Sequence, residues 1–277
     1  MNSIRKAIRK IAPLRASTFA DMREETNESL ASMKLQIDTL NRRLEQDLAK
    51  IHNSTREIYW AEVFNQSIAG CDWLKDVSIS PGRWAVGYPY LYVLFRVLTS
   101  CKPKRILELG LGQSTKVINA YAAHEKEVLH FAVDNNAEWI TFHDEMYTGI
   151  EENHTKIIHL ELEMIPFPPA LEPVRAYSNF TDTFTQEKFD LISIDGPLGD
   201  DMPEIARIDI LKILPDCLAD SFAIMIDDSH RSGEDQMISL LKDKLAQAGI
   251  EFEVASYRGE KEVTIVCSPD NLYLCSL

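Results

Sequence analysis

An α/β fold with a doubly wound sheet is predicted by three features of this 277-residue sequence. The first is Arg105-Ile-Leu-Glu-Leu-Gly-Leu-Gly-Gln-Ser-Thr115, an apolar strand that passes through an acid into a glycine-rich turn. The second is the alternation downstream of apolar strands, each ending in acids or small polar residues, with amphipathic helices. The third is a pair of closing strands around Arg258-Gly259-Glu260-Lys261, which reads as an antiparallel hairpin. Together they predict a seven-stranded sheet with a terminal antiparallel hairpin and a ligand edge at the carboxyl ends of its strands. An N-terminal helical coiled-coil extension precedes it.

Residues 1–55 form that extension. Ile4, Ile8 and Ile11 line one face of a short helix whose other positions include Arg5, Lys6, Arg9 and Lys10, and Pro13 is expected to end it. Five basic residues and no acid within Met1–Arg15 suit a foot on a membrane surface, at the inner face of a cytoplasmic membrane. For so short a segment a solvated helix is the preferred reading, and oligomerisation shifts the balance toward the membrane through avidity. Leu30, Met33, Ile37, Leu40, Leu44, Asp47 and Ile51 alternate three and four apart, a heptad seam with one polar interruption. The seam predicts a homo-oligomer through residues 30–51; the plainer reading is a long helix lying on the rest of the chain.

Residues 56–100 lead into the sheet. Glu57–Ile68 reads as helical, Pro81-Gly82 as a turn, and Leu91, Leu94, Phe95 and Leu98 as one face of a helix. Trp84 and Tyr88 are candidates to cover a substrate, and core packing explains them nearly as well.

Residues 101–277 carry the sheet. Ile106, Leu107 and Leu109 form a buried strand, and Gly110 and Gly112 let the backbone turn and approach a ligand. Ser114 and Thr115 can cap the helix that continues through Val117, Ile118 and Tyr121. Val128–Val133 leads to Asp134-Asn135-Asn136, about 20 residues past the turn, where an acid can bind ribose hydroxyls. A helix from about Ala137 is expected to bury Trp139, Ile140 and Met146. Lys156–Leu162, Phe189–Asp195 and Ser221–Asp227 are the next strands, the last running into Asp227-Asp228-Ser229-His230-Arg231. Glu234–Ala248 is a helix stopped by Gly249, and Phe252–Ser256 and Val263–Cys267 close the sheet.

Composition narrows the function classes. A net charge of −14 argues against a nucleic-acid partner, because phosphate binding needs a basic surface. Five cysteines without a Cys-x-x-Cys pair fit reduced thiols in a cytoplasmic protein. No apolar run approaches a membrane span, and the basic N-terminus lacks the apolar region of a signal peptide.

The turn departs from the dinucleotide fingerprint: Thr115 replaces its third glycine, and Glu108 would set a negative charge against a pyrophosphate. Acid-x-Gly-x-Gly at 108–112, with the ordered acids downstream, resembles class I S-adenosylmethionine-dependent methyltransferases. The resemblance covers roughly Ser80 to the C-terminus and implies a Rossmann-like sheet with S-adenosyl-L-methionine as cofactor. It sets Glu108 near the methionyl amino group, Gly110, Gly112, Ser114 and Thr115 around the cofactor, Asp134 and Asn135 on the ribose, and Asp195 toward the sulfonium. His230 is then the natural general base, and Arg231 suits an anionic acceptor. A capping, salt-bridging turn is the alternative for both. Asp195, Asp227 and Asp228 also look like the acids by which catechol-type methyltransferases hold magnesium, although Asp228 stands where that family has an amide. The Ile-Asp-Gly-Pro and Asp-Asp-Ser-His-Arg wording resembles O-methyltransferases of sugars and surface polysaccharides, which implies a glycan or small-molecule acceptor. An aminopropyl-type transferase on the same fold and a non-catalytic oligomerising scaffold are the other readings.

Overall fold

A computed structural model describes residues 2–82, 84–146 and 155–277, with side chains for all of these except residues 2–17, 144 and 146. The chain forms two compact units, residues 1–52 and 53–277.

Helix α1 spans Asn2–Ile68. Pro13 does not end it: an internal proline removes one backbone hydrogen bond, and here the helix continues through that loss. The basic side chains of the N-terminal segment lie outside the described residues. Within the first unit Leu30, Met33, Ile37, Leu40, Leu44 and Ile51 are each more than half exposed, and so is Leu48, which the heptad count passes over. No helix among the described residues is long and apolar enough to cross a membrane.

In the second unit the strands are β1 (Arg105–Leu109), β2 (Leu129–Asp134), β3 (Thr155–His159), β4 (Leu162–Ile165), β5 (Val174–Tyr177), β6 (Phe189–Ile194), β7 (Leu218–Ile226), β8 (Glu253–Arg258) and β9 (Glu262–Cys267). Seven form one sheet in the order β3-β2-β1-β6-β7-β9-β8. The first five are parallel, and β9 runs antiparallel to both β7 and β8. This is the Rossmann-like sheet with a terminal hairpin that the alternation of strands predicts.

Alternate residues of β1 and β6 feed opposite faces, as a pleated strand requires. Ile106 and Leu191 pack with Leu91, Leu94 and Leu98 of α2 (Tyr88–Ser100) and Val117 and Ile118 of α3 (Gln113–Glu125). Leu107, Leu109, Ile192 and Ile194 pack on the other side with residues including Phe180. That residue opens α5 (Phe180–Phe184), which follows α4 (Ala137–Met146) in the chain. The same face holds Ile210 of α6 (Asp209–Ile213) and Met237, Leu241 and Leu245 of α7 (Ser232–Gln247).

The last turns of α1 dock on this domain through one carboxylate. Glu57 accepts from the Tyr88 amide at 2.6 Å and from the Glu260 amide at 2.9 Å. A Cβ at Gly259 would collide with that carboxylate, so the hairpin turn needs its glycine. Trp60 Nε1 adds a bond to the Arg258 carbonyl at 3.1 Å.

Two elements differ from expectation. The third strand stops at His159, opposite Asp134 where its partner β2 ends, and the Leu160 amide makes a last bond to the Asp134 carbonyl. The remaining apolar residues from Leu162 instead pair with β5 as a separate antiparallel ribbon. Trp139 is 36% exposed rather than buried, and its indole N–H donates to the Leu111 carbonyl at 2.9 Å. Met146's side chain lies outside the described residues. All five cysteines are free, with Cys217 and Cys267 buried.

Candidate active site at the carboxyl edge of the sheet

The two glycines of the β1 turn do different work. Gly110 has φ +96°, and a Cβ there would stand 3.0 Å from both the Asp195 carbonyl carbon and the Gly196 nitrogen. It lets the ends of β1 and β6 touch. At Gly112 a Cβ would meet nothing within 4 Å, so this residue borders open space.

Asp134 holds the turn from β2. Its Oδ2 accepts from the Leu111 amide at 2.9 Å and its Oδ1 from the Asn136 amide at 2.8 Å. Asn135 is half-buried, and its carbonyl lies 3.0 Å from His159 Nε2. Thr115 Oγ1 accepts from the Gly112 amide at 2.8 Å and caps α3, as expected. Ser114 does not cap. Its hydroxyl donates to Glu108 Oε1 at 2.6 Å.

Glu108 has no exposed surface, so it is not at a ligand's edge as the resemblance implies. Its Oε2 stands 3.1 Å from His130 Nε2, off the hydrogen-bonding direction. His130 Nδ1 lies 2.9 Å from Thr155 Oγ1, which donates to Asn119 at 2.9 Å. A buried carboxylate needs such partners, and these tie β1, β2, β3 and α3 together beneath the turn.

The ends of β6 and β7 carry a denser set of charges. Asp195, Asp227 and Asp228 each offer an oxygen within 4.8 Å of the others. Among them lies Arg207, from the segment after β6. Its Nη2 donates to Asp195 Oδ1 at 3.3 Å and to Asp228 Oδ2 at 3.2 Å, its Nη1 to the Asp227 carbonyl at 2.9 Å, and its Nε stands 3.4 Å from Glu234 Oε1. Lys261 Nζ, from the β8–β9 turn, is 3.3 Å from Asp227 Oδ2 and 3.7 Å from Asp228 Oδ1. Arg231 Nη1 is 2.9 Å from Asp228 Oδ2. Four carboxylates thus face three cations.

Of the four acids only Asp195 keeps appreciable access to solvent, with 19% of its side chain exposed. Burial, with Asp227 nearby, pushes its carboxyl up to about 8. Burial also raises Asp227 and Glu234. Arg207 and Asp228, which face each other, both adopt φ +57°. Non-glycine residues rarely hold that left-handed conformation, and such strain gathers where a precise arrangement is maintained.

Asp195, Asp227, Asp228 and Arg231 therefore meet in one cluster. Asp227 and Asp228 form ion pairs there and do not cap α7. Arg231, expected to meet an anionic acceptor, spends its guanidinium on Asp228. His230 is exposed, and no hydrogen bond to its ring is found among the described residues. Tyr88 is half-buried against Phe64, with ring centroids 6.1 Å apart, whereas Trp84 is 82% exposed.

Arg207, Glu234, Lys261 and the buried Tyr90–Ser193 pair, 2.5 Å apart, escaped sequence reasoning. A lone arginine inside the apolar run Ile205-Ala206-Arg207-Ile208 was the available signal for the first.

The residues do not fit a bridging metal as they stand. Arg207 bridges Asp195 to Asp228 and Lys261 bridges Asp227 to Asp228, so resident cations occupy both bridging positions.

Several solved structures are similar to this chain. A protein from Staphylococcus aureus, provisionally described as a caffeoyl-CoA O-methyltransferase, is 15% identical, with 83% of this chain and 99% of that one covered and a TM-score of 0.42. The methyltransferase PaMTH1 of Podospora anserina, with S-adenosylhomocysteine bound, is 15% identical over 80% and 94% of the two chains, at a TM-score of 0.42. Human methyltransferase-like protein 13 in complex with S-adenosylhomocysteine is 13% identical over 68% and 85%, at 0.43. No protein-family model and no curated protein matches the chain.

Proposed function

We propose that this chain is an S-adenosylmethionine-dependent O-methyltransferase. The observation that carries the reading is the juxtaposition, at the carboxyl ends of three neighbouring strands, of the open side of Gly112, the Asp134 carboxylate and the partly accessible Asp195. Open α/β sheets bind their ligands at that edge. The cofactor fits the residues on charge as well, since with Asp195 ionised the four acids outnumber the three cations by one, and a sulfonium supplies that charge.

Gly112 and Asp134 would hold the adenosyl portion, with Thr115 holding the Gly112 amide from beneath, and Asp195 would face its charged end. When bound, S-adenosylmethionine supplies an electrophilic methyl group. The chain must then align the acceptor oxygen and take its proton. Asp195 is the better base: its proton affinity lies near neutrality, where general-base catalysis works best, and Arg207 fixes its orientation. His230 has no orienting partner among the described residues.

A sugar hydroxyl of a surface polysaccharide or its precursor remains our reading of the acceptor, supported by sequence wording alone. We also read α1 as an oligomerisation element, supported by its exposed apolar stripe, with the basic N-terminal segment as a foot on the inner membrane face. An aminopropyl-type transferase would equally want acids at strand ends; binding of the decarboxylated cofactor without methyl transfer would favour it. A pure scaffold would have no use for an accessible Asp195 beside an open glycine turn.

Calorimetry with S-adenosylhomocysteine tests the reading. Wild type is expected to bind it, and folded Asp134→Ala, measured below its melting transition, to bind about 1–3 kcal/mol more weakly. No binding by folded wild type overturns the cofactor, and unchanged affinity in the variant removes Asp134 from the ribose.

A further inference from the structure

The acid cluster has an unusual resident. Lys261 reaches from the β8–β9 turn with 16% of its side chain exposed, and its ammonium lies between Asp227 Oδ2 and Asp228 Oδ1, 3.3 and 3.7 Å away. Both acids are almost wholly buried, and among the described residues Asp227 Oδ1 has no hydrogen-bond partner and Asp228 Oδ1 meets the ammonium only beyond hydrogen-bond range. Ligand oxygens 4.8 Å apart at most are what an ion with bonds of ~2.4 Å would span. The cluster therefore has the donors, the spacing and the unfilled oxygens of a divalent-ion site, with a lysine in it.

We propose that Lys261 stands in the place of a divalent cation, so that the cluster excludes metal while Lys261 is present and becomes a metal site when its ammonium is removed. The ammonium is a compact point charge on a flexible stem, able to sit where an ion would. It is tethered, so its occupancy does not depend on ion concentration. A divalent ion added beside Arg207, Arg231 and Lys261 would turn the net charge of the four-carboxylate cluster positive, whereas one in place of Lys261 would balance it. Removing the ammonium leaves two buried carboxylates facing each other with too little compensation. An ion from solution then relieves what the lysine relieved.

The inference is independent of the methyl acceptor and of the cofactor, because its readout is ion binding. Wild type, Lys261→Gln and Lys261→Arg, each at full length, are titrated calorimetrically with calcium and with magnesium, and melted with either ion or with chelator. Wild type and Lys261→Arg are expected to give no saturable heat below about 1 mM ion and the same melting temperature under both conditions. Lys261→Gln is expected to bind one calcium per chain below about 1 mM, and the ion should raise its melting temperature by several degrees. Magnesium should bind more weakly, since its shorter bonds require the acids to close in. Saturable binding by wild type overturns the proposal, as does a folded Lys261→Gln that binds neither ion. If Lys261→Gln folds only with calcium present, that rescue is itself the expected result; if no ion rescues it, the proposal fails.

Discussion

The two units of this chain break the usual partition of residues in opposite directions. Residues 19–51 hold Phe19, Met22, Leu30, Met33, Ile37, Leu40, Leu44, Leu48 and Ile51 out in water. The sheet domain does the reverse and buries Glu108, Arg207, Asp209, Asp227, Asp228 and Glu234. Each arrangement is costly in isolation: exposed apolar area forgoes roughly 25 cal/mol per Å², and a buried ion costs several kcal/mol unless it is paired. The difference lies in the source of compensation. Apolar cover is non-directional and suits a helical surface that any matching stripe can bury. Buried charge needs directed partners, and the domain supplies them internally through Arg207, Lys261 and Arg231. With Asp195 ionised it leaves one charge uncompensated, at the one acid of that cluster with appreciable access to solvent.

The largest expected effect breaks that remaining charge. Asp195→Asn keeps the shape and the contact to Arg207 but cannot accept a proton, so turnover should fall by ~10²–10⁴ with a far smaller change in S-adenosylhomocysteine affinity. His230→Ala should stay within about threefold of wild type. The wild-type rate should rise with pH and level off above about 8, because only the ionised Asp195 accepts a proton. A rate that does not follow the ionisation of Asp195, together with a large loss in His230→Ala, would return the base to the histidine.

A smaller effect comes from the acid that no cluster serves. Asp209 is fully buried; its Oδ1 accepts from the Tyr177 amide at 2.9 Å and lies 3.3 Å from Lys212 Nζ. Burial raises its carboxyl from 3.8 to about 6. Between those values the folded protein holds a proton that the unfolded chain has released, so this contribution to stability is complete below about 4 and is lost as pH rises through about 6. The loss amounts to roughly 2–3 kcal/mol. Asp209→Asn retains an acceptor for Tyr177 and has no proton to lose. Denaturant unfolding from pH 4 to 7.5 should show the variant gaining on wild type by about that amount, and parallel curves would refute the assignment.

The same contrast explains what the sequence revealed. Apolar periodicity is a repeated signal, and it exposed the seven strands, their acidic ends and the helices α2, α3 and α7. It failed where one residue decides the outcome. Arg207 sits in an irregular segment and Lys261 in a hairpin turn, and nothing local says that both converge on acids from β6 and β7. Glu108 was legible as an acid beside a glycine turn, yet its direction depends on His130, which pairs with it across strands. The ribbon of β4 and β5 was hidden because β3 ends opposite the end of β2, within the run that reads as one strand.

The smallest expected effect concerns which stripe of α1 is covered. Phe19 and Ile37, Met22 and Leu40, Leu30 and Leu48, and Met33 and Ile51 form pairs separated by about five turns of ~3.6-residue helix, so each pair shares one azimuth. At ~100° per residue these nine apolar side chains fall within an arc of about 80°, with Leu48 inside it and Asp47 about 20° outside, while Leu35, 65% exposed, lies on the opposite side of the helix. A strict heptad seam would choose Asp47 and impose a left-handed supercoil; a stripe at the helix's own period chooses Leu48 and packs nearly straight. Leu48→Asp should therefore weaken self-association about tenfold, or ~1.4 kcal/mol, while Asp47→Leu changes it little. Mass measured by light scattering over a concentration series reads both. Strong tightening by Asp47→Leu with no effect of Leu48→Asp would restore the heptad. A monomer at ~100 µM would remove self-association as the cover for the stripe, because Kd would then exceed that concentration.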